Sequence, residues 1–421
     1  MESQNRGNSP KKISIITQFF PPDFAATGQF IYELSVSLAE SGFEVAVFTG
    51  MPGYAFRRGS VPRQEEQGNL MIRRTGATRL ISKRIRSKLL TSLLFVLRGL
   101  VKFRHPALRG QHLVITSAPP FLGVLGWFYH KFWGQTYSCI VYDVYPDVAV
   151  RLKVVQEHHA LVRLWHFVNR KVWQRAQSLI VLSEPMRDLL ISRDPSLKDK
   201  IYVISSWANP DLLQPLPKQK NWFVQQQGWG DRFVVMYSGN LGRCHDEDTL
   251  IACAQLLQAH PQVLFSFIGD GVGCRVVESA IINRKLVNAV RLPYQEQEVL
   301  PFSLAAADIS VVSMRPNVEG VIAPSKVYGM LAVGRPIVAI CPPHSYLRQL
   351  IREGNCGACF DNGDAAGMAE YVLTLFQDQQ LREALGQNAR RYFEERFTLE
   401  QIVPQYLQAL GLSSEPSFLV C

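Results

Sequence analysis

Short apolar runs alternating with stretches of helical periodicity organise most of the chain. The run from Lys12 to Phe19 is β-branched and mostly apolar, and Phe20-Pro21-Pro22 closes it, which predicts a buried parallel strand ending in a loop. Gly28 then introduces a helical pattern with Phe30, Leu34 and Leu38 on one face; it stops near Gly42, ahead of a strand from Phe43 to Phe48. Further runs predict strands at His112 to Thr116, Tyr137 to Val141, Ser178 to Leu182 and Ile201 to Ile204. After Pro210 the alternation lapses into Pro215, Pro217 and a polar stretch ending at Trp222, which reads as a linker. It restarts with strands at Phe233 to Tyr237, Val263 to Ile268, Ala289 to Leu292, Ile309 to Val312 and Ile337 to Ile340. Strands alternating with helices predict an α/β protein with two parallel, doubly wound, Rossmann-like sheets in series. Ligands of such sheets sit beyond the carboxyl ends of the strands, here facing an interdomain cleft.

Length supports the division, because 421 residues exceed what one hydrophobic core serves. The boundaries predicted are 1–214 for the first domain, 215–228 for the linker and 229–395 for the second domain. With 47% hydrophobic and 19% charged residues the chain is ordinary globular material.

Charge changes the picture in one place. The formal net charge is +10, but residues 71–110 alone hold eleven Lys or Arg and no Asp or Glu, so the remainder is close to neutral. That concentration argues against a nucleic-acid partner. On a helical wheel Arg84, Lys88, Thr91, Arg98 and Lys102 share one face, and Ile85, Leu89, Leu93, Val96, Leu100 and Phe103 another. Such a basic amphipathic helix suits an anionic membrane surface. The apolar run from Leu89 to Leu97 is too short to span, since about 20 residues are needed. The competing reading packs this helix on the first domain with its basic side chains solvated; it does not explain why Phe95 falls on the polar face. Scattered cysteines and a polar beginning without a signal-peptide core predict a reducing cytoplasm, and Cys356 and Cys359 form a lone C-x-x-C with no second pair for zinc.

Candidate chemistry concentrates in the second half. Ser238-Gly-Asn-Leu-Gly242-Arg243 follows a strand and precedes a helix; its glycines let backbone N–H groups approach an anion, and Arg243 adds a guanidinium. Pro324-Ser325-Lys326 reads as a second helix start, with Gly334 at the helix end, offering amides and a built-in cation. Two anion-seeking helix starts in one domain suit a diphosphate. Asp246-Glu247-Asp248 mimics a D-x-D metal motif, but reads rather as an acidic first helical turn that satisfies the macrodipole. His245 beside Arg243 reads either as a phosphate contact or as an exposed loop histidine, and Glu319 either as a sugar contact or as a solvated loop residue.

These motifs come in an order that resembles the retaining GT-B type glycosyltransferases of family 4, in the branch of capsule, O-antigen and colanic-acid-like polysaccharide assembly. The resemblance runs from Phe19-Phe-Pro-Pro22 through Ser183-Glu184, Gly239-Asn-Leu-Gly-Arg243, Ile268-Gly-Asp-Gly271 and Ala307-Asp308 to Pro324-Ser-Lys326 and Ala332-x-Gly334-x-Pro336. It implies an N-terminal acceptor domain, a C-terminal nucleotide-sugar donor domain and a last helix, within 396–421, packing back on the first domain. It further implies a UDP- or GDP-linked donor, no metal and no other cofactor, and a polyprenyl-diphosphate-linked saccharide acceptor. The expected location is the cytoplasmic face of the inner (plasma) membrane. Carried over by position, Gly28 lies in a loop facing the donor, Gly239, Asn240, Gly242 and Ser325 line the donor site, and Arg243 contacts the diphosphate. Leu292 and Pro293 lie beside the nucleobase, and Glu319 sits near the donor sugar.

The chain makes three departures from the family pattern. The second carboxylate of its acidic pair is due eight residues after Glu319, where Val327 stands; counted back from Gly334, the ribose-binding glutamate falls on Gly329. A cation due shortly after Arg243 is replaced by the acidic triplet, so Lys326 is expected to supply that charge. Where many members carry a His-Asp pair, this chain has Tyr142-Asp143, which makes Asp143 the candidate beside the acceptor hydroxyl. Two rival functions share this plan: a nucleotide-sugar epimerase, and a non-catalytic nucleotide-sugar-binding subunit.

Overall fold

The computed structural model describes residues 12–23, 26–52, 61–76, 94–101 and 112–412. Eight strands form the first sheet: β1 (Lys12–Ile16), β2 (Glu44–Gly50), β3 (Gln64–Gln67), β4 (Leu70–Thr75), β5 (His112–Thr116), β6 (Tyr137–Val141), β7 (Leu179–Val181) and β8 (Ile201–Val203). Their spatial order is β3-β4-β2-β1-β5-β6-β7-β8, parallel throughout except for the β3–β4 pair. The second sheet contains β9 (Phe233–Ser238), β10 (Val263–Ile268), β11 (Ala289–Leu292), β12 (Ile309–Ser313), β13 (Ile337–Ile340) and β14 (Gly357–Phe360), in the order β11-β10-β9-β12-β13-β14, all parallel. In each sheet the winding reverses beside its first strand, between β1 and β5 and between β9 and β12. Crevices open at the carboxyl ends of such reversal points.

Strands β3, β4 and β14 were not predicted. In β4 the inward positions are Leu70, Ile72 and Arg74. The Arg74 guanidinium pairs there with Glu65 at 2.5 Å and donates to the carbonyls of Pro21 at 2.9 Å and Pro62 at 3.3 Å. A buried, paired arginine disguises the alternation that otherwise marks a strand.

This finding also corrects the reading of the basic segment, since Arg73 and Arg74 at its start belong to the sheet. Arg84, Lys88 and Lys102, assigned to a membrane face, lie outside the described residues. Of that helix, residues 94–101 are described: Arg98 is exposed, but Phe95 and Val96 are buried in the core, Phe95 stacking on Phe48 at 5.4 Å. The supposed apolar membrane face therefore turns inward at Val96, and Phe95 is a core residue rather than a misplaced surface one. Among the described residues no helix is long and apolar enough to cross a membrane.

Helices that position the site are α1 (Ala26–Glu40), α2 (Gly123–Trp133), α3 (Asp147–Arg151), α4 (Ala160–Arg175), α5 (Glu184–Arg193), α6 (Glu247–Leu256), α7 (Lys326–Ala332), α8 (Gln379–Arg396) and α9 (Leu399–Ala409). The last of these crosses back onto α1. Its Tyr406 meets Trp207 edge-on at 6.0 Å, Trp207 donates to Glu33 of α1 at 2.6 Å, and Gln177 donates to the Leu410 carbonyl at 3.2 Å. Apolar side chains of the first sheet, α7, α8 and α9 form one continuous core, so the two sheets are tied through buried surface as well as through the chain.

Candidate active site

At the carboxyl end of β9, Gly239 adopts φ +128° and its turn packs against the next turn in the sheet, Gly269-Asp270-Gly271. A Cβ on Gly269 would come within 1.9 Å of the Gly239 carbonyl oxygen, and one on Gly271 within 2.4 Å of that of Leu241. Glycine is required at both by positive φ and by backbone contact. The two turns are then stitched by Gly239 N–H to Ile268 O at 2.9 Å and Leu241 N–H to Asp270 O at 2.8 Å. Leu292 and Pro293 complete this rim, because Gly269 N–H donates to Leu292 O at 3.1 Å; Pro293 is exposed and Leu292 half-buried.

Lys326, the first residue of α7, reaches back to the same turn. Its ammonium lies 4.0 Å from the Tyr237 ring centroid, 2.5 Å from the Tyr237 hydroxyl and 3.4 Å from the Asn240 carbonyl oxygen. Burial holds its pKa down at about 7. Tyr237, which positions this cation, was missed from sequence because it ends an apolar strand like any core residue. Asn240 and Arg243 are exposed at the turn, and Arg243 has neither an ion pair nor a hydrogen-bond partner among the described residues. Gly242 lies between them, half-buried, and Ser325 occupies the N-cap position of α7 without a side-chain cap bond.

Four expectations need correction. The start of α6 is not open to an anion: Asp246 caps it by accepting from Thr249 N at 3.1 Å, and Glu247 pairs with Arg315 at 3.3 Å. Anion capacity in that segment therefore rests on the glycine turn rather than on the helix end. His245 is buried, not exposed, hydrogen-bonding the Ser313 carbonyl at 2.9 Å, and burial holds its pKa down at about 3. Gly28 lies within α1, not in a loop, and a Cβ there would stand 3.1 Å from the Phe19–Phe20 backbone. Glu319 is buried rather than solvated. One of its carboxylate oxygens accepts from Tyr346 N at 3.3 Å and the other is buried without a partner among the described residues. Burial raises its pKa.

Across the cleft, Ser117 at the end of β5 accepts from the amides of Tyr142 at 3.0 Å and Asp143 at 3.3 Å, which sets the loop after β6. Asp143 remains partly exposed, and loss of water around its carboxyl raises its pKa to about 6. It is also near enough to Cys244, beside Arg243, to raise that thiol's pKa after the larger effect of burial. Two links fasten the Glu319 loop to this side: Val144 N–H to Val321 O at 2.9 Å, and the Arg151 guanidinium to Glu319 O at 2.5 Å. Asp143 and the Glu319 loop are thus brought together from opposite sheets. At Gly329, where a ribose-binding glutamate was due, an added Cβ would meet Leu213 at 3.4 Å and Leu304 at 3.6 Å, so that position faces apolar side chains.

Residues 26–207 match the family described as glycosyl transferase 4-like domain, and residues 219–392 match that of glycosyl transferases group 1. A probable glycosyltransferase of Pseudomonas aeruginosa, WbjE, is 25% identical over 275 residues, 65% of this chain and 68% of that protein. A putative colanic acid biosynthesis glycosyl transferase of Escherichia coli, WcaI, is 30% identical over 117 residues, 28% of each chain. Among solved structures, Anabaena HepE in complex with UDP and glucose superposes with a TM-score of 0.71 at 16% identity, covering 95% of this chain and 99% of its own.

Proposed function

We propose that this chain, whose two halves match the glycosyl transferase 4-like and glycosyl transferases group 1 models, moves a sugar from a UDP- or GDP-linked donor to a polyprenyl-diphosphate-linked saccharide, with retention, in cell-surface polysaccharide assembly. The carrying observation is the glycine turn of the second sheet, with Lys326 and Arg243, together with the buried Glu319 of the same sheet, whose loop is bonded to the Asp143 side of the first sheet. The relative named for colanic acid biosynthesis supports the pathway, and the ordered motif set supports retention. In this reading residues 1–214 receive the acceptor and 229–395 the donor, on the cytoplasmic face of the inner membrane.

The chemistry follows from where charge moves. The bond from the anomeric carbon to the diphosphate oxygen breaks, and an oxocarbenium-like centre develops while negative charge builds on the leaving group. Arg243 and Lys326 meet that charge, and glycine-turn amides add dipoles. The acceptor oxygen bonds to the same face of the anomeric carbon, its proton passing to a phosphate oxygen of the leaving group. Asp143 orients the acceptor hydroxyl, and the unpartnered oxygen of Glu319 accepts from a donor-sugar hydroxyl.

The test is a panel of UDP- and GDP-sugars scored for thermal stabilisation, followed by transfer from the stabilising donor to a lipid-linked saccharide. Epimerisation of that donor without acceptor, or binding with no turnover at all, would overturn the proposal. A second expectation concerns pH. With the Lys326 pKa held down at about 7 in the free protein, donor binding draws a proton onto the amine. Donor affinity should rise by up to about tenfold per unit as pH falls toward 7 and level off below it. Lys326→Met should abolish that slope. A pH-independent wild-type affinity, measured calorimetrically from pH 6 to 9, removes Lys326 from the diphosphate site.

A further inference from the structure

The outer face of α2 and α4 takes no part in the reaction, yet it is unusually apolar. Helix α4 carries Arg163, Arg170, Lys171 and Arg175 and no Asp or Glu. Its inner residues Val162 and Val172 are buried, whereas Leu161, Leu164 and Phe167 are 62%, 57% and 59% exposed. A spacing of three keeps these side chains on one side of the helix. Helix α2 packs alongside, also without an acidic residue, and ends in Phe132 and Trp133, both exposed. Helix 94–101 lies against α2 through Gly99, where a Cβ would be 2.8 Å from Leu125, and it leaves Leu97 and Val101 exposed.

Cations are interleaved with this apolar surface. Lys171 holds its ammonium 5.6 Å from the Phe167 ring centroid, and Lys131 stands 5.0 Å from that of Trp127. Ammonium groups held over aromatic rings, among exposed apolar side chains, are suited to a membrane boundary. The face also leads to the cleft. Trp165 of α4 stacks on Phe121 at 4.1 Å and on Tyr145 at 5.8 Å, and Tyr145 is two residues from Asp143.

We propose that the α2–α4 face is where the protein lies on an anionic bilayer, its Leu, Phe and Trp side chains entering the acyl boundary and its Lys and Arg meeting headgroup phosphates. Charge selects the lipid over a second copy of this chain, because pairing two such acid-free helices would bring like charges together. The inference deepens the lipid-linked-acceptor reading by naming the surface that brings the cleft to the membrane, and it differs from the basic segment 84–102 in using side chains whose exposure is observed.

Cosedimentation of the full chain with phosphatidylglycerol-containing vesicles and with pure phosphatidylcholine vesicles tests it. The wild type should bind the anionic vesicles. Leu164→Glu with Phe167→Glu should lower that partitioning by roughly tenfold or more, and Arg163→Gln with Lys171→Gln should erase the preference for anionic lipid. Thermal stabilisation by donor and transfer to a soluble, short-chain acceptor should persist in both variants, since these side chains are exposed and remote from the glycine turn. Vesicle binding by the Leu164/Phe167 variant equal to wild type overturns the proposal. So does a wild-type dimer that this variant dissociates without any vesicle binding. Docking as described by a protein that transfers no sugar would sustain this inference and overturn only the assigned reaction.

Discussion

Arg243→Ala is expected to lower turnover by about 10² or more, by analogy with removal of one preorganised donor from an oxyanion site. Arg243 is exposed at the turn after β9 with no partner among the described residues, so its removal breaks no observed contact and the melting temperature should stay near wild type. Charge on the leaving diphosphate grows as the glycosidic bond breaks, so the loss should fall more on kcat than on KM. Arg243→Lys should recover part of the rate, because the charge remains while the planar fork is lost. Steady-state kinetics at saturating donor decide the matter: near wild-type kcat in the alanine variant excludes Arg243 from the site. Lys326 is anchored on Tyr237 and Asn240, so the two cations should not be interchangeable.

Asp143→Asn should reduce transfer to the saccharide acceptor by roughly 10², the scale of a misplaced reacting group, while leaving donor binding unchanged. In the wild type the carboxyl titrates at about 6, raised by burial, so acceptor-dependent kcat/KM should fall as pH drops through that value. The asparagine variant should lack this limb. Stability carries the opposite sign. A carboxyl whose folded pKa is raised contributes stability that is complete below its unfolded pKa near 3.8 and is lost as pH rises through about 6. The variant should therefore melt at or above the wild-type temperature at pH 8, an activity loss without a fold loss. A variant that melts lower and loses donor binding in parallel would assign Asp143 to the architecture of the β6 loop instead.

Local pattern alone determined the two-sheet plan. Strands buried on both faces, such as β1, β9, β10 and β12, must be continuous apolar runs, and glycines at their ends mark turns that side chains cannot occupy; both constraints act within a few residues and are written in order along the chain. Pattern failed where a partner distant in sequence supplied the physical balance. Arg74 reads as a surface charge until Glu65 and two carbonyls enclose it in β4, and Phe95 reads as a misplaced apolar residue until Phe48 covers it. Asp246 through Asp248 follow an anion-binding sequence motif, yet the first of them fills the helix end that the motif was expected to offer.

The candidate site divides in the same way. Its residue types were legible, since a glycine turn with a following arginine and a Pro-Ser-Lys helix start each have a short-range signature. The placement of the Lys326 amine over Tyr237 was not, and neither was the enclosure of Glu319 by Tyr346 and Arg151 or the setting of Asp143 by Ser117. Each of these pairs is brought together by strands or loops far apart in the chain. What only the tertiary structure decided is how much water each group loses, because desolvation depends on everything packed around a charge and not on its neighbours in sequence. That loss lowers the pKa of Lys326 to about 7 and raises that of Asp143 to about 6, bringing an ordinary lysine and an ordinary aspartate into the range where one proton changes their charge near neutral pH.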